Sequence, residues 1–180
     1  MMARPPLGAL LAGVIAYGVG SVPTGYLLVR WRRGADIRRL GSGSTGARNV
    51  GRQLGPGWAV LAAVLDVLKG ALSVAVGRLV GASPAAVPML AVVAGHIWPV
   101  SLGFAGGRGI TPALGAVAMI DPVTAGVTLA ACATGWLATG RSRVGIALGI
   151  VAAPVATSVL RRGPDVRAGV LGAVALIAAG

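Results

Sequence analysis

Charged side chains in this sequence fall in a few short clusters, and the intervals between them are long, apolar and dominated by Ala, Val, Leu and Gly. A helix needs about 20 mostly apolar residues to cross a hydrocarbon layer of about 30 Å, and in lipid every backbone N–H and C=O must find a partner within the protein. The pattern dictates an all-α, polytopic membrane bundle and excludes a soluble domain. Hydrophobic residues make up 56% of the chain and charged ones 11%, so no segment is left for a separate soluble unit. Residues 1–180 read as a single integral membrane domain. The 30 glycines suit it, because helices in lipid associate through small residues that let backbones approach.

The apolar intervals are Leu7–Val29, Trp58–Val80, Pro84–Leu102, Ile110–Leu137, Val144–Leu160 and Val166–Ala179. Asp121-Pro122 interrupts the fourth with a polar turn at which a helix ends, so about seven transmembrane helices are expected. Leu7–Val29 follows Arg4 as a signal peptide would. It is too long for one, and the basic stretch Arg30–Arg52 follows it in place of a cleavage site, so it is expected to stay as the first spanning helix.

Sixteen basic residues against four acidic ones give a net charge of +12. In a membrane protein such an excess follows from topology, anionic lipid head groups or phosphorylated substrates. Nucleic acid is not an expected partner, since no soluble basic face or aromatic platform exists to dock it. The single Cys132 excludes an intrachain disulfide. With the N-terminus outside, the cytoplasmic loops are Arg30–Arg52, Phe104–Gly109 and Gly140–Arg143, which hold most of the arginines. Short basic loops stay in the cytoplasm, so the expected location is the bacterial cell membrane with these loops inside. The Arg161/Arg162 pair on the other side runs against that count.

Three features on the inferred cytoplasmic side carry chemistry. The run Gly41-Ser42-Gly43-Ser44-Thr45-Gly46-Ala47-Arg48-Asn49-Val50-Gly51-Arg52 offers close backbone approach, hydroxyl donors and a following helix N-terminus, the makings of a phosphate cradle. A flexible glycine-rich loop is the other reading. Gly106-Gly107-Arg108-Gly109 precedes a helix starting near Thr111-Pro112. There the backbone can wrap a phosphate while the guanidinium neutralises it, or the segment is an ordinary turn with a topogenic arginine. Gly95-His96-Ile97-Trp98-Pro99 puts the only histidine at the end of an apolar helix, where a polar group is costly and marks either function or a backbone bond. Asp66 and Lys69 lie three apart on one helix face. They form an internal pair, or Lys69 meets an anion at the mouth of a site. No second histidine or carboxylate cluster is available for a metal, and neither metal nor cofactor is expected.

Together these segments resemble the bacterial membrane acyl-phosphate:glycerol-3-phosphate acyltransferase family. The resemblance runs in order through Gly20-Ser21-Val22-Pro23-Thr24-Gly25-Tyr26-Leu27, Asp36-Ile37-Arg38, the Gly-Ser-Gly run to Asn49 and Arg52, Leu65-Asp66-Val67-Leu68-Lys69-Gly70, Gly95–Pro99 and Phe104–Thr111. It implies a bundle of about seven helices with a cytoplasmic active site that moves an acyl group from acyl phosphate to the 1-hydroxyl of glycerol 3-phosphate, forming lysophosphatidic acid for phospholipid synthesis. Ser42 and Arg52 fall on family positions that contact a substrate phosphate. The implied substrate-binding set is Ser42, Ser44, Asn49, Arg52, Lys69, Gly106, Gly107, Arg108 and Gly109, with Ser42, Arg108 and His96 as catalytic candidates. His96 would assist deprotonation of the attacking hydroxyl or orient a loop, and a substrate phosphate serving as its own base is equally compatible.

The sequence departs from the family pattern at Ser44 (usually Asn), Arg48 (usually Thr) and Arg108 (usually Lys). Its third motif reads Gly140-Arg141-Ser142-Arg143-Val144-Gly145-Ile146-Ala147-Leu148, with Gly145 and Leu148 where hydroxyls are expected. Arg141, Ser142 and Arg143 could supply those contacts. If they do not, a membrane bundle of non-catalytic or transport type, keeping the fold and the phosphate loops, is the alternative.

Overall fold

A computed structural model describes residues 7–82 and 84–180; Arg4 lies outside them. The described residues are helical, without strands. They form α1 (Leu7–Gly20), α2 (Thr24–Arg33), a 3-10 turn (Ile37–Arg39), α3 (Ala47–Leu54), α4 (Pro56–Leu79), α5 (Ala86–Ile97), a second 3-10 turn (Val100–Leu102), α6 (Ile110–Ile120), α7 (Pro122–Thr139), α8 (Ser142–Val159) and α9 (Pro164–Ala179). Every apolar interval becomes helix, and the break at Asp121-Pro122 is present. Pro56, Pro122 and Pro164 open their helices, where the missing N–H costs nothing.

Three expectations are corrected. The first span is not one helix to Val29: it breaks at Ser21-Val22-Pro23 and resumes as α2 to Arg33. Pro23 has no N–H to donate and bars its predecessor from helical geometry. The Arg30–Arg52 segment is only partly loop, since it contains the end of α2 and the short α3. Pro84–Leu102 is not one helix either, because Pro99 stops α5 and a tight turn follows. Leu7–Arg33, Pro56–Leu79 and Ser142–Val159 are long and apolar enough to cross a membrane alone. At 11 residues, α6 is only about 16 Å long, a half-span whose entry loop is drawn into the bundle.

The main core joins Val74, Met89, Val92, Val93, Ala116, Val117, Val170 and Ala173 from α4, α5, α6 and α9. A second cluster of Val29, Ile37, Val50 and Ala62 holds α2 and α3 against α4. Large apolar side chains such as Leu10, Leu68, Leu72, Val151 and Val155 face outward, as a surface solvated by lipid requires. At the end opposite the glycine loops, the Asp121 carboxylate accepts from Arg162 Nε (2.8 Å) and Nη2 (2.9 Å) and from Thr124 Oγ1 (2.5 Å). Arg78 Nη2 donates to the Met119 carbonyl at 2.7 Å. Arg78 and Arg162, two of the arginines that weigh against the charge count, thus have internal structural partners.

Helices α7 and α8 form a tight hairpin. A Cβ at Gly145 would collide with the Cys132 carbonyl oxygen, and the Gly149 position lies against Cys132 Sγ. Gly145 is therefore a helix contact, with no room for a hydroxyl-bearing side chain. Gly145→Ser is expected to cost about 1–3 kcal/mol through overpacking and to lower the melting temperature in detergent. Gly18→Ala, which meets nothing within 4 Å, serves as the control; equal melting temperatures for the two variants would refute the reading.

Candidate active site

The first glycine loop is built around Asn49, which is 1% exposed. Its Nδ2 donates to the carbonyls of Ile37 (3.3 Å), Leu40 (2.9 Å) and Ser44 (2.9 Å), and its Oδ1 accepts from Ser42 N–H at 3.2 Å. The amide is consumed in shaping the loop, so Asn49 holds the cradle and does not line it. Ser44 Oγ accepts from Gly46 N–H at 3.2 Å and prepares the start of α3. Ser42 is left exposed at the loop's surface. Arg48 and Arg52, four apart on α3, both point outward on its exposed face while Asn49 and Val50 face in.

The second loop is held by the end of α5. Gly106 N–H donates to the Ile97 carbonyl (3.1 Å) and Gly107 N–H to the His96 carbonyl (3.0 Å). Gly107 packs directly on the His96 ring, where a Cβ would overlap Nε2. Gly109 has φ of +75° and caps α6 in the left-handed region, which glycine enters without strain. Arg108 between them is exposed. The two loops meet where Thr45 N–H approaches the Gly106 carbonyl at 3.4 Å.

Beneath the loops lies a buried polar cluster. Asp66 Oδ1 is 3.0 Å from Lys69 Nζ and 3.7 Å from His96 Nδ1, and Thr111 Oγ1 stands 3.5 Å from Asp66 Oδ2. Lys69 Nζ also donates to the carbonyls of Gly20 (3.2 Å) and Val22 (3.0 Å) at the break in the first span. Of the two readings of Lys69, the internal pair is the one present: its ammonium stands 3.0 Å from Asp66 Oδ1 and donates to the carbonyls of Gly20 and Val22. His96, 7% exposed, sits between Asp66 and the loop at Gly107.

Four arginines from three segments converge at this end. Arg48 donates to Ser142 Oγ at the start of α8, which brings the third motif to the first. Burial, together with the guanidinium groups of Arg143, Arg52 and Arg108, holds Arg48 below the ordinary arginine range. Arg48, Arg52, Arg108 and Arg143 make no ion pair with a carboxylate among the described residues. Cations gathered without internal counter-charge make this end the candidate seat for an anion. The i, i+4 spacing of Arg48 and Arg52 was the signal in the sequence that could have added Arg48 to the set. Asp66, the hub of the buried cluster, was also missed as a site residue.

A family model described as glycerol-3-phosphate acyltransferase matches residues 10–179. The chain belongs to the glycerol-3-phosphate acyltransferase family. Among curated relatives of that name, one from Desulforudis audaxviator is 45% identical over 138 residues, covering 73% of this chain and 65% of its own length. Another, from a Synechococcus species, is 47% identical over 111 residues, covering 61% of this chain and 56% of its own. The matched region thus spans somewhat less than two thirds of these relatives. The crystal structure of PlsY (YgiH), an integral membrane glycerol 3-phosphate acyltransferase, in its glycerol 3-phosphate form superposes with a TM-score of 0.88 at 30% identity, covering 95% of this chain and 86% of that one. Its lysophosphatidic acid form gives 0.84 at 29%. The chain is accordingly an integral membrane protein.

The junction between the site and its frame is electrostatic. Arg38 donates to Asp36 through Nε (3.0 Å) and Nη2 (2.7 Å), and through Nη1 to the Leu102 carbonyl (2.8 Å), tying the first loop to the turn before the second. The Arg38 guanidinium holds the Asp36 carboxyl well below the usual range, at about 2. A depressed native value means that the stabilisation is complete above about 4 and is lost as pH falls through about 2. Thermal unfolding followed across that window should show this loss in the wild type. Asp36→Asn should lower stability at neutral pH and flatten that part of the profile; a parallel profile in the variant would exclude the assignment.

Proposed function

We propose that the chain transfers an acyl group from acyl phosphate to the 1-hydroxyl of glycerol 3-phosphate, forming lysophosphatidic acid, as one membrane domain. The observation that carries this reading is the convergence of two glycine-rich loops and four arginines lacking carboxylate partners at one end of an apolar bundle. Both substrates are phosphate esters or anhydrides, and each needs a cationic seat. The hydroxyl oxygen attacks the acyl carbonyl carbon, the bond from that carbon to the phosphate oxygen breaks, and inorganic phosphate leaves with the electron pair. The hydroxyl proton passes to a phosphate oxygen or to a base. Because the acyl group arrives activated, bringing two anions together and neutralising the leaving phosphate is the main demand on the protein.

Arg52 and Arg108, with Ser42, are assigned to the substrate phosphates. Arg48 and Arg143 extend the seat, and Ser142 anchors Arg48, so the third motif contributes charge where hydroxyls are missing. Gly106, Gly107 and Gly109 let the loop pack closely on the end of α5, which holds Arg108 outward for the phosphate. His96 is assigned a positioning role, because its ring abuts Gly107 and is almost wholly buried. Asn49, Ser44 and Lys69 act from behind, as supports of the loops.

A half-open apolar groove of about 80 Å³ between α6, α8 and α9 is lined from Ile110, immediately after Gly109. It is placed to receive the acyl chain while the phosphate lies at the loops. Transfer from palmitoyl phosphate to labelled glycerol 3-phosphate by the purified chain is the direct test. Arg52→Ala or Arg108→Ala should each lower kcat/KM by about 10- to 100-fold, the worth of one charge-assisted bond of ~1.5–3 kcal/mol, with unchanged melting temperature. Wild-type kinetics in both would remove them from the site, and no transfer by the wild type would favour a bundle that binds without reacting.

The arginine-rich end is assigned to the cytoplasmic face of a bacterial cell membrane, with the N-terminus outside. This follows from the retention of short basic loops and from the internal pairing of Arg78 and Arg162 at the other end. A cysteine at the exposed Arg39, in a Cys132→Ala background, should resist an impermeant thiol reagent in intact cells and react after lysis. Labelling before lysis would invert the orientation.

A further inference from the structure

Two apolar spaces lie end to end along α6 and α9. The inner one begins at Ile110 and Ile177 and ends at Met89, Val117 and Val170. The outer one, a small recess of about 20 Å³, is bordered by those same three side chains and by Ile120, Val166 and Asp165. Only Met89, Val117 and Val170 border both. They are 1%, 7% and 2% exposed, so three buried side chains stand where the two spaces adjoin.

The three differ in what they can do. Val117 and Val170 are β-branched residues on helices, with one strongly preferred side-chain rotamer. Met89 has three rotatable bonds and no branch. Its Sδ lies beside Gly169, 3.5 Å from where a Cβ would stand, with Ala86 Cβ on the other side of that point at 3.3 Å, so its freedom is that of its own unbranched chain. Ile110 and Val117 are two turns apart on α6, about 10 Å along its axis. That length accepts roughly eight carbons of an extended chain with bonds of about 1.5 Å. A longer tail meets Met89 and must displace it to enter the outer space.

We propose that Met89, closing against Val117 and Val170, is a movable partition that sets which acyl-chain length the site accepts. The occupant is the hydrocarbon tail of the acyl donor and of the monoacyl product, and the proposal rests on the acyltransferase reading above. The groove is continuous with the Arg108 loop through Ile110, which fixes the polar end of the ligand at the loop and directs the tail towards Met89. Each further methylene buried beyond the partition is worth about fourfold in binding, so removing the wall changes the dependence on length and not merely the overall rate.

The test compares kcat/KM for octanoyl, decanoyl, lauroyl, palmitoyl and stearoyl phosphate in the wild type, Met89→Ala, Val170→Ala and Val117→Phe, using the full chain in lipid nanodiscs. The stearoyl-to-decanoyl ratio should rise by at least about tenfold in Met89→Ala and more modestly in Val170→Ala, and fall by at least about tenfold in Val117→Phe. Ratios within about twofold of the wild type in the folded variants overturn the proposal. If Met89→Ala does not fold, Val170→Ala and Val117→Phe decide the matter. If the wild type transfers no acyl group, the enzymatic reading fails and the partition is read from thermal shifts with alkyl phosphates of the same lengths. Stabilisation that levels off beyond decyl phosphate in the wild type but keeps rising in Met89→Ala supports the partition, and identical length dependence in both overturns it.

Discussion

One ammonium group carries an unusual share of this structure. The break at Ser21-Val22-Pro23 leaves carbonyls that no helix can satisfy, at a depth where water is scarce and an unpaired group costs several kcal/mol. Lys69 Nζ takes those of Gly20 and Val22, and Ser101 Oγ takes that of Ser21 at 2.8 Å. A buried cation must itself be balanced, and Asp66 does so from the preceding turn of α4 at 3.0 Å. Asp66 also faces His96 and Thr111, one at the end of α5 and the other at the start of α6. The same charge pair that permits the break therefore reaches both helices that flank the second glycine loop.

The break has a consequence for the site. The helix is interrupted at Ser21-Val22-Pro23 and resumes as α2, which runs to Arg33. The following turn can then fold Ile37 under α3, where the Asn49 amide gathers it with Leu40 and Ser44. Arg38 completes the closure by spanning from Asp36 to the Leu102 carbonyl and lying over the Tyr26 ring at 5.6 Å.

Hydropathy made the helices legible and marked the break at Asp121-Pro122, because there an acidic residue and a proline coincide. It did not mark the break at Pro23, where Ser21 and Thr24 carry no charge to interrupt the apolar run; the compensating donors lie 47 and 80 residues away in the chain. The glycine-rich motifs were legible as phosphate-friendly, but the division of labour inside them was not. Asn49 and Ser42 look alike in sequence, as small polar residues in one run. Burial makes Asn49 a strut and leaves Ser42 exposed. The same holds at Gly145, which reads as a lost hydroxyl until the Cys132 carbonyl is found occupying the space.

The α7–α8 hairpin closes the argument between packing and chemistry. Small residues at Gly135, Gly145 and Gly149 let these helices meet backbone to backbone, so they pack most extensively on one another and only lightly on the rest. Association in lipid depends on close dispersion contacts, not on expelling water, and a pair so satisfied has little reason to collapse onto α6 and α9. The space left between them is apolar, starts at the loop that carries Arg108, and is bordered on the hairpin side by Cys132, Ile146 and Ile150. The glycines that appear to weaken the third motif are then the contacts of the helix pair that borders this apolar groove, while Ser142, at the start of the same helix, returns to anchor Arg48.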